Sequence, residues 1–251
     1  MLFDAHVHLA ECLKKSEDAV FSLNASVKDY AALTSVFSKE ELLTTLSLKE
    51  KLSGQILVAG GLHPLFPDLR NLDFIEEGLR DKTLFCTGEA GFDFFDDSER
   101  KNLSEQEKAF NEILYLSQRY SVPVVLHLRK ALNVIYKYAA ALKKLPCVLF
   151  HGFGGNLFET ESILKKGINA YFCIGKNLLK ESPKAVEIVR KLPEERLFFE
   201  TDAPFMTLKN EEFTLPSQIK DVYEKASLVR NTEPSFLEEK IADNFKKLLY
   251  F

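Results

Sequence analysis

The sequence has few of the features that stabilise small secreted domains and none of the long apolar runs that cross membranes. It contains only four cysteines, with no Cys-x-x-Cys spacing, and three of them (Cys86, Cys147 and Cys173) lie in apolar runs where a reduced thiol serves as a small core residue. No apolar run approaches the roughly 20 residues that a membrane helix needs. Asp4 interrupts the N-terminus before a signal-peptide core forms. These features predict a cytoplasmic protein with no membrane partner.

Motifs of several common enzyme classes are also missing. The sequence has no G-x-x-x-x-G-K-[ST] phosphate loop and no G-x-S-x-G nucleophile elbow, which disfavours an organic nucleotide cofactor and a serine nucleophile. The net charge of −4 is unlike that of a basic nucleic-acid coat protein. Residues 143–191, however, hold nine Lys and Arg against four Asp and Glu. This excess indicates either solvated outer faces of helices or a patch that faces a substrate.

What the sequence does contain is a series of short apolar runs separated by helical stretches. The runs are rich in β-branched and aromatic residues, as expected of parallel strands covered on both faces. They predict strands over 2–6, 19–26, 55–60, 84–89, 122–127, 147–151, 168–174 and 196–201. Helices are predicted over 105–120, 133–144, 182–191, 217–229 and 235–249, whereas the first connection (9–18) is short for a crossover helix.

Eight strands that alternate with helices over 251 residues match the count and length of one (β/α)₈ TIM barrel. The fold class predicted is therefore α/β, with residues 1–251 forming a single domain. A doubly wound open sheet is the alternative.

The five histidines of the chain all fall at or just after the C-terminal end of a predicted strand. They are His6, His8, His63, His127 and His151. Active sites of barrels are assembled at that end from the loops that follow the strands. A single buried histidine is usually structural, but five at one end indicate a common site.

The strand ends also carry the donor types that divalent cations prefer. His6 and His8 are two residues apart in extended chain, so both imidazoles project to the same side and reach one cation. Glu89 and Asp202 end apolar strands, where a carboxylate is costly to bury unless it is paired or binds a cation; the plainer interpretation is a cap or a salt bridge to a loop. Gly88 and Gly91 flank Glu89 and permit a close backbone approach.

Six ordered motifs resemble those of the TatD family of metal-dependent deoxyribonucleases, within the amidohydrolase-like barrels. The resemblance runs over nearly the whole chain. The motifs are DAHVHL at 4–9, GLHP at 61–64, GEAGFD at 88–93, PVVLHLR at 123–129, HGFGG at 151–155 and ETDAP at 200–204. Two departures stand out. Gly152 and Gly154 replace the usual Cys and Ser, and the stretch 205–216 lacks the arginine and Asn-x-x-Pro that commonly follow Pro204.

The resemblance implies two divalent metal ions, with zinc, manganese, magnesium, nickel and iron all compatible with the donors. The implied ligands are His6, His8, Glu89 and Asp202 for one ion, and Glu89, His127 and His151 for the other. His63 and Arg129 are implied to lie near the scissile phosphate as substrate-binding residues. Asp4 and Asp93 are expected to orient the ligand imidazoles.

The function that the resemblance implies is phosphodiester hydrolysis, with DNA as the substrate of a monomer or weak oligomer. Asp202 and Glu89 are the predicted catalytic residues: Asp202 orients the attacking water and accepts its proton, and Glu89 fixes the separation of the two ions. The same donors also suit an amidohydrolase-type hydrolysis of a small amide, ester or lactone, because arginine binds carboxylates as well as phosphates. A catalytically silent metal-binding module is a third reading, which the retained Asp202 disfavours.

Overall fold

The computed structural model describes residues 1–27, 29–96 and 102–251. Eight parallel strands form one sheet in the order β1 to β8, so each strand pairs with the next along the chain. Their bounds are β1 Leu2–Val7, β2 Tyr30–Val36, β3 Gln55–Gly60, β4 Cys86–Asp93, β5 Val124–Arg129, β6 Val148–His151, β7 Ala170–Ile174 and β8 Leu197–Phe199.

Helices follow the strands and cover the outside of the sheet. The α-helices of the described chain are α1 Leu9–Lys15, α2 Glu17–Phe21, α3 Leu23–Ser26, α4 Lys39–Lys51, α5 Leu72–Arg80, α6 Leu103–Tyr120, α7 Ala139–Leu142, α8 Leu157–Lys165, α9 Pro183–Lys191, α10 Ile219–Arg230 and α11 Pro234–Leu249. Short 3₁₀ helices span Leu69–Asn71, Leu132–Tyr138, Glu194–Arg196 and Pro216–Gln218. No helix within these described ranges is both long and apolar enough to cross a membrane.

The sheet curls into a nearly closed barrel. The backbone N–H of Asp202, just after β8, donates to the carbonyl oxygen of His6 in β1 at 2.9 Å. The N–H of His8 donates to the carbonyl oxygen of Ala203 at 2.8 Å. These bonds bring the last strand beside the first, which confirms the predicted (β/α)₈ barrel over the open sheet.

Burial explains why most strands were visible in the sequence. Every residue of β1, β2, β4, β6, β7 and β8 is buried, because the inner face fills the barrel and the outer face packs against helices. All four cysteines are buried and free, as expected for small core residues.

The predicted second strand (19–26) is wrong. That segment forms α2 and α3, and the strand lies further along at Tyr30–Val36. The Ser16 side chain accepts from the N–H of Ala19 at 3.2 Å and caps α2, whose first turn carries Glu17 and Asp18. Both features favour a helix start. The first connection therefore holds three short helices rather than an abbreviated crossover.

The segment after β5 also differs from its prediction. A continuous helix was predicted over 133–144, but the chain forms a 3₁₀ helix at Leu132–Tyr138 followed by the single turn of α7. Apolar spacing does not distinguish i→i+3 from i→i+4 hydrogen bonding over so short a stretch. The other predicted helices lie within a few residues of their observed bounds.

Candidate metal centre

All five histidines lie at the C-terminal end of the barrel. His6, His127 and His151 belong to the ends of β1, β5 and β6, and His8 and His63 follow β1 and β3. His8, His63, His127 and His151 line a cleft of about 1270 Å³ among the loops after the strands, and His6 lies buried against His8. The predicted convergence of donors from separate strands is what the barrel geometry produces.

His6, His8 and Asp202 form the first cluster. The Nε2 atoms of His6 and His8 are 3.1 Å apart, because alternate residues of an extended strand face the same way. Asp202 Oδ1 lies 3.7 Å from His6 Nε2 and 3.4 Å from His8 Nε2. The barrel closure described above fixes the Asp202 backbone against His6.

Glu89 stands between this cluster and a second one, with each carboxylate oxygen facing one side. Oε2 lies 3.2 Å from His6 Nε2 and 3.6 Å from His8 Nε2. Oε1 lies 2.5 Å from His127 Nδ1 and 3.4 Å from His151 Nε2. The Glu89 side chain is 2% exposed, so one buried carboxylate is shared by four imidazoles.

His63 also approaches Glu89, with its Nε2 atom 3.6 Å from Oε1. Its Nδ1 accepts a hydrogen bond from the N–H of Leu65 at 3.2 Å, which places the ring proton on Nε2 in the neutral tautomer. Burial lowers the pKa of His63 to about 4, so the ring is neutral at physiological pH. His63 therefore presents a donor, not a lone pair, to the cleft.

The donor set fits divalent cations. Three groups of ligand atoms each lie within 4.8 Å of one another: His6, Glu89 and His151; His6, His8 and Asp202; His63, Glu89 and His127. Buried imidazole and carboxylate at this density is costly without a compensating cation. The buried atom Glu200 Oε2 also has no hydrogen-bond partner among the described residues.

The electrostatics of the cluster show strong competition between burial and charge. Burial disfavours charged imidazoles, but Glu89 and the Asp93 hydrogen bond together outweigh it and raise the pKa of His127 to about 9. Glu200 and Glu89 together overcome burial and raise the pKa of His151 to about 10. Burial also opposes ionisation of Glu89, but the surrounding imidazolium charge, that of His151 first, holds its pKa well below the usual range. In the absence of metal, His127 and His151 are therefore protonated at neutral pH.

Two acidic residues hold ligand rings from behind. Asp93 Oδ2 lies 2.9 Å from His127 Nε2, as predicted. Glu200 Oε1 lies 3.1 Å from His151 Nδ1 and accepts from the N–H of Gly152 at 2.7 Å. The role of Glu200 was missed although it stands in the ETDAP motif, because only the barrel closure shows which imidazole it meets.

The prediction for Asp4 is wrong. Its carboxylate accepts from the N–H of Thr201 at 2.9 Å and from the Thr201 hydroxyl at 2.6 Å, and it contacts no imidazole ring. Burial raises the pKa of Asp4 to about 8. Asp4 therefore ties β1 to the end of β8, and Ser35 is the residue near the outer nitrogen of His6, at 3.5 Å from Nδ1.

Arg129 lies on the rim of the cleft rather than on its floor. Its side chain is exposed, and its guanidinium carbon is 3.6 Å from the ring centroid of Phe95. The neighbouring Lys130 ammonium lies over the same ring at 4.4 Å. An arginine stacked on an aromatic ring keeps its outward hydrogen-bond donors available to a ligand.

Gly88 and Gly91 allow β4 to approach β5 closely, as predicted. Gly91 has φ +147°, and a Cβ there would lie 2.1 Å from the carbonyl oxygen of His127. At Gly88, with φ +106°, a Cβ would lie 2.3 Å from the carbonyl oxygen of Val125. The glycines therefore set the distance between Glu89 and His127.

The segment after β8 is held by a buried lysine that sequence patterns did not single out. Lys176, which is fully buried, donates to Glu211 at 2.5 Å, to Thr214 at 3.0 Å and to Gln218 at 3.1 Å. These bonds organise the stretch in which the expected arginine and Asn-x-x-Pro are absent. No local signal distinguishes Lys176 from the surface lysines around it.

Comparison with known proteins agrees with this geometry. The family model described as TatD related DNase matches residues 3–250. An uncharacterised metal-dependent hydrolase of Bacillus subtilis, YabD, is 26% identical over 262 residues, covering 99% of this chain and 98% of that protein. The 3′-5′ ssDNA/RNA exonuclease TatD of Musicola paradisiaca is 28% identical over 246 residues, covering 94% and 86%.

A solved structure extends the likeness to three dimensions. The TatD homologue YjjV of Escherichia coli K12 superposes with a TM-score of 0.83 at 25% identity, covering 100% of this chain and 98% of its own. The family model, the full-length relatives and this shared barrel agree with the buried His and carboxylate clusters described above. The chain belongs to the TatD family of metal-dependent hydrolases.

Proposed function

We propose that the protein hydrolyses phosphodiester bonds of single-stranded DNA at a site for two divalent cations. The observation that carries this proposal is the shared Glu89 carboxylate, whose two oxygens face separate histidine clusters. The six ligands are His6, His8, Glu89, His127, His151 and Asp202. When bound, the two cations supply positive charge to phosphate oxygens and lower the pKa of a bound water.

Asp202 is the proposed base. In the metal-free protein, imidazolium charge, that of His151 first, outweighs burial and holds the pKa of Asp202 below its usual range. Bound cations would supply positive charge in place of those protons, so the carboxylate is ionised at neutral pH. It orients the attacking water and takes its proton as the new P–O bond forms. The bond to the leaving oxygen then breaks, that oxygen takes a proton from water, and Asp202 returns its proton to solvent. Glu89 acts by fixing the distance between the two clusters.

His63 and Arg129 are the proposed phosphate contacts. The neutral His63 ring directs Nε2–H into the cleft beside Glu89, where it donates to a nonbridging phosphate oxygen. Arg129 offers its outward guanidinium donors from the rim. Donors placed before the substrate arrives stabilise negative charge as it develops on the phosphate.

The aromatic side chains of the cleft favour an unpaired strand. Phe66 and Phe205 line the cleft with 78% and 49% of their surfaces exposed. Exposed aromatic rings offer stacking faces to bases that are not already paired. The name of the Musicola relative includes single-stranded DNA and RNA, and DNA is the substrate proposed for this chain.

The test is incubation of the metal-loaded protein with end-labelled single-stranded DNA in Mg²⁺ or Mn²⁺, with a chelator control. Shortening of the strand that requires the added ion supports the proposal. An intact strand together with metal-dependent hydrolysis of a small ester or lactone would replace it with the amidohydrolase alternative. Intact substrates throughout would favour the metal-binding module. The cytoplasmic location and the monomer or weak oligomer stay predictions.

A further inference from the structure

The cleft above the candidate metal centre is lined by opposite charges on its two sides. On one side, four exposed cations follow β5 and β7: Arg129, Lys130, Lys180 and Lys184. On the other, two carboxylates, Glu11 and Glu41, lie on the helices that follow β1 and β2. In an eight-stranded barrel whose strands are ordered by sequence, β1 and β2 stand across from β5 and β6.

The cationic side is called here the basic wall. Among the described residues, none of the four cations forms an ion pair with a carboxylate. Arg129 lies over the Phe95 ring, Lys130 donates to the Phe95 carbonyl oxygen and Lys184 donates to the Gly154 carbonyl oxygen. Glu159 also lines this side, but its carboxylate caps α8 by accepting from the N–H of Asn156 at 2.7 Å. The described charged side chains on this side are therefore mostly cationic.

The acidic side is partly neutralised but stays negative. Lys14 lies 2.5 Å from Glu11 and 3.8 Å from Glu41, so one ammonium serves two carboxylates. Glu41 also accepts from the N–H of Phe37 at 2.8 Å, which fixes its side chain at the cleft. A phosphate that approached this side would meet net repulsion.

We propose, on the basis of the proposed function, that the basic wall binds the phosphate backbone of single-stranded nucleic acid as a track. Glu11 and Glu41, on the opposite side, repel the backbone and bar the strand from continuing across the cleft. Phosphates recur at every nucleotide, so a row of exposed cations contacts several of them at once. The strand leaves the metal centre toward β5 and β7, and only an end can occupy the acidic side. Part of the excess of basic residues in 143–191 is thereby explained, because Lys180 and Lys184 belong to it.

The track is tested by the salt dependence of binding, measured as fluorescence anisotropy of a labelled oligothymidylate. All proteins carry Asp202→Asn so that the strand survives, and all are loaded with Mn²⁺. Each phosphate contact contributes about 0.7 to the slope of log affinity against log salt for a single strand. Lys180→Ala with Lys184→Ala is expected to reduce that slope by about 1.4.

The matched control removes the same charge elsewhere. Lys143 and Lys144 are exposed and precede β6, at the barrel end opposite the cleft. Lys143→Ala with Lys144→Ala is expected to leave the slope unchanged. Equal slopes for both double variants would overturn the track, even in a protein whose nuclease activity is established.

The acidic bar is tested by comparing linear and circular single strands of equal length. A circle must cross both sides of the cleft, so the circle is expected to bind several-fold more weakly than the linear strand. Glu11→Gln with Glu41→Gln is expected to narrow that difference, while Glu40→Gln, an exposed neighbour in α4, leaves it unchanged. Equal binding of circle and linear strand by the parent protein would refute the bar.

These readouts separate the two proposals. Binding is measured without turnover. If the parent enzyme has no nuclease activity but the two lysine double variants still differ in salt slope, only the proposed reaction is refuted. Turnover of DNA with no slope difference would sink only the track. An oligonucleotide that fails to bind at any salt concentration would contradict both.

Discussion

The backbone N–H of Asp202 donates to the carbonyl oxygen of His6 at 2.9 Å, which joins the end of the barrel sheet to its beginning. One hydrogen bond thus does two things: it helps close the barrel and sets the proposed base beside the first imidazole of the cluster. Asp202 has φ +56°, a left-handed conformation that Asn and Asp tolerate better than other non-glycine residues. The fold and the site are therefore determined by the same contact.

Asp202→Asn is expected to abolish most turnover while leaving the fold intact. Asparagine keeps the side-chain size and tolerates the left-handed backbone, but it cannot accept a proton. Loss of a general base typically lowers the rate by about 100- to 10,000-fold. Turnover of labelled DNA and the thermal midpoint are measured together, with Asp243→Asn on α11, where the side chain is half-exposed, as control. Full activity in the Asp202 variant would remove it from the mechanism.

The sequence predicts most strands of the barrel correctly, but not every helix. Seven strands were found because burial on both faces leaves apolar runs in the chain. The second was misplaced because the segment 19–26 has the composition of a strand, while the helix start at Ser16 decides its structure. Whether the chain after β5 forms an α-helix or a 3₁₀ helix depends on its packing, which the pattern of apolar residues does not predict.

Some residues of the site could likewise be predicted from the sequence, whereas others could not. Strand ends are local, so the histidines, Glu89 and Asp202 were brought together as predicted. Contacts such as Glu200 with His151 and Lys176 with Glu211 depend on the path of loops from distant parts of the chain. Asp4 shows the converse: its place in the opening motif suggested an imidazole partner, but Thr201 lies closer.

Metal binding is expected to release protons at neutral pH. The pKa of His127 is raised to about 9 and that of His151 to about 10, so both rings are protonated at neutral pH in the metal-free protein. A cation binds only the neutral ring. Affinity therefore rises with pH until these groups have titrated, and is lost as pH falls below neutrality.

Calorimetry of Zn²⁺ or Mn²⁺ binding in buffers of different ionisation enthalpy checks this directly. The observed enthalpy is expected to vary linearly with that of the buffer, with a slope that reports the protons released. A slope of zero at neutral pH would mean that His127 and His151 are already neutral or take no part in binding.

Glu200→Gln is expected to weaken metal binding by about 10- to 100-fold, because partners behind a ligand imidazole typically contribute that much. The same change removes the first cause that raises the pKa of His151. Because protons then compete less with the metal for the ring, part of the lost metal affinity is regained near neutral pH. The defect should thus grow as pH rises. Competition titrations with a chromophoric chelator measure it. A defect equal to that of Glu187→Gln, a half-exposed residue of α9, would show that the Glu200 carboxylate does not support the His151 ring.

Gly91→Ala is expected to lower the free energy of unfolding by about 3 kcal/mol or more. The new Cβ would meet the His127 carbonyl oxygen at 2.1 Å, in a backbone conformation that alanine rarely adopts. Urea unfolding in the presence of a chelator isolates this cost from metal binding. Gly154→Ala is the matched control, since the nearest atom to its Cβ is 3.9 Å away. Equal stability of the two variants would contradict the close approach of β4 and β5.

The most direct test of the two-cation site is a crystal soaked in Zn²⁺ or Mn²⁺ and measured by anomalous scattering. Two peaks are expected at the C-terminal end of the barrel, one on each side of the Glu89 carboxylate. The first should also be contacted by His6, His8 and Asp202, and the second by His127 and His151. A single peak, peaks that do not share Glu89, or none at this cleft would contradict it.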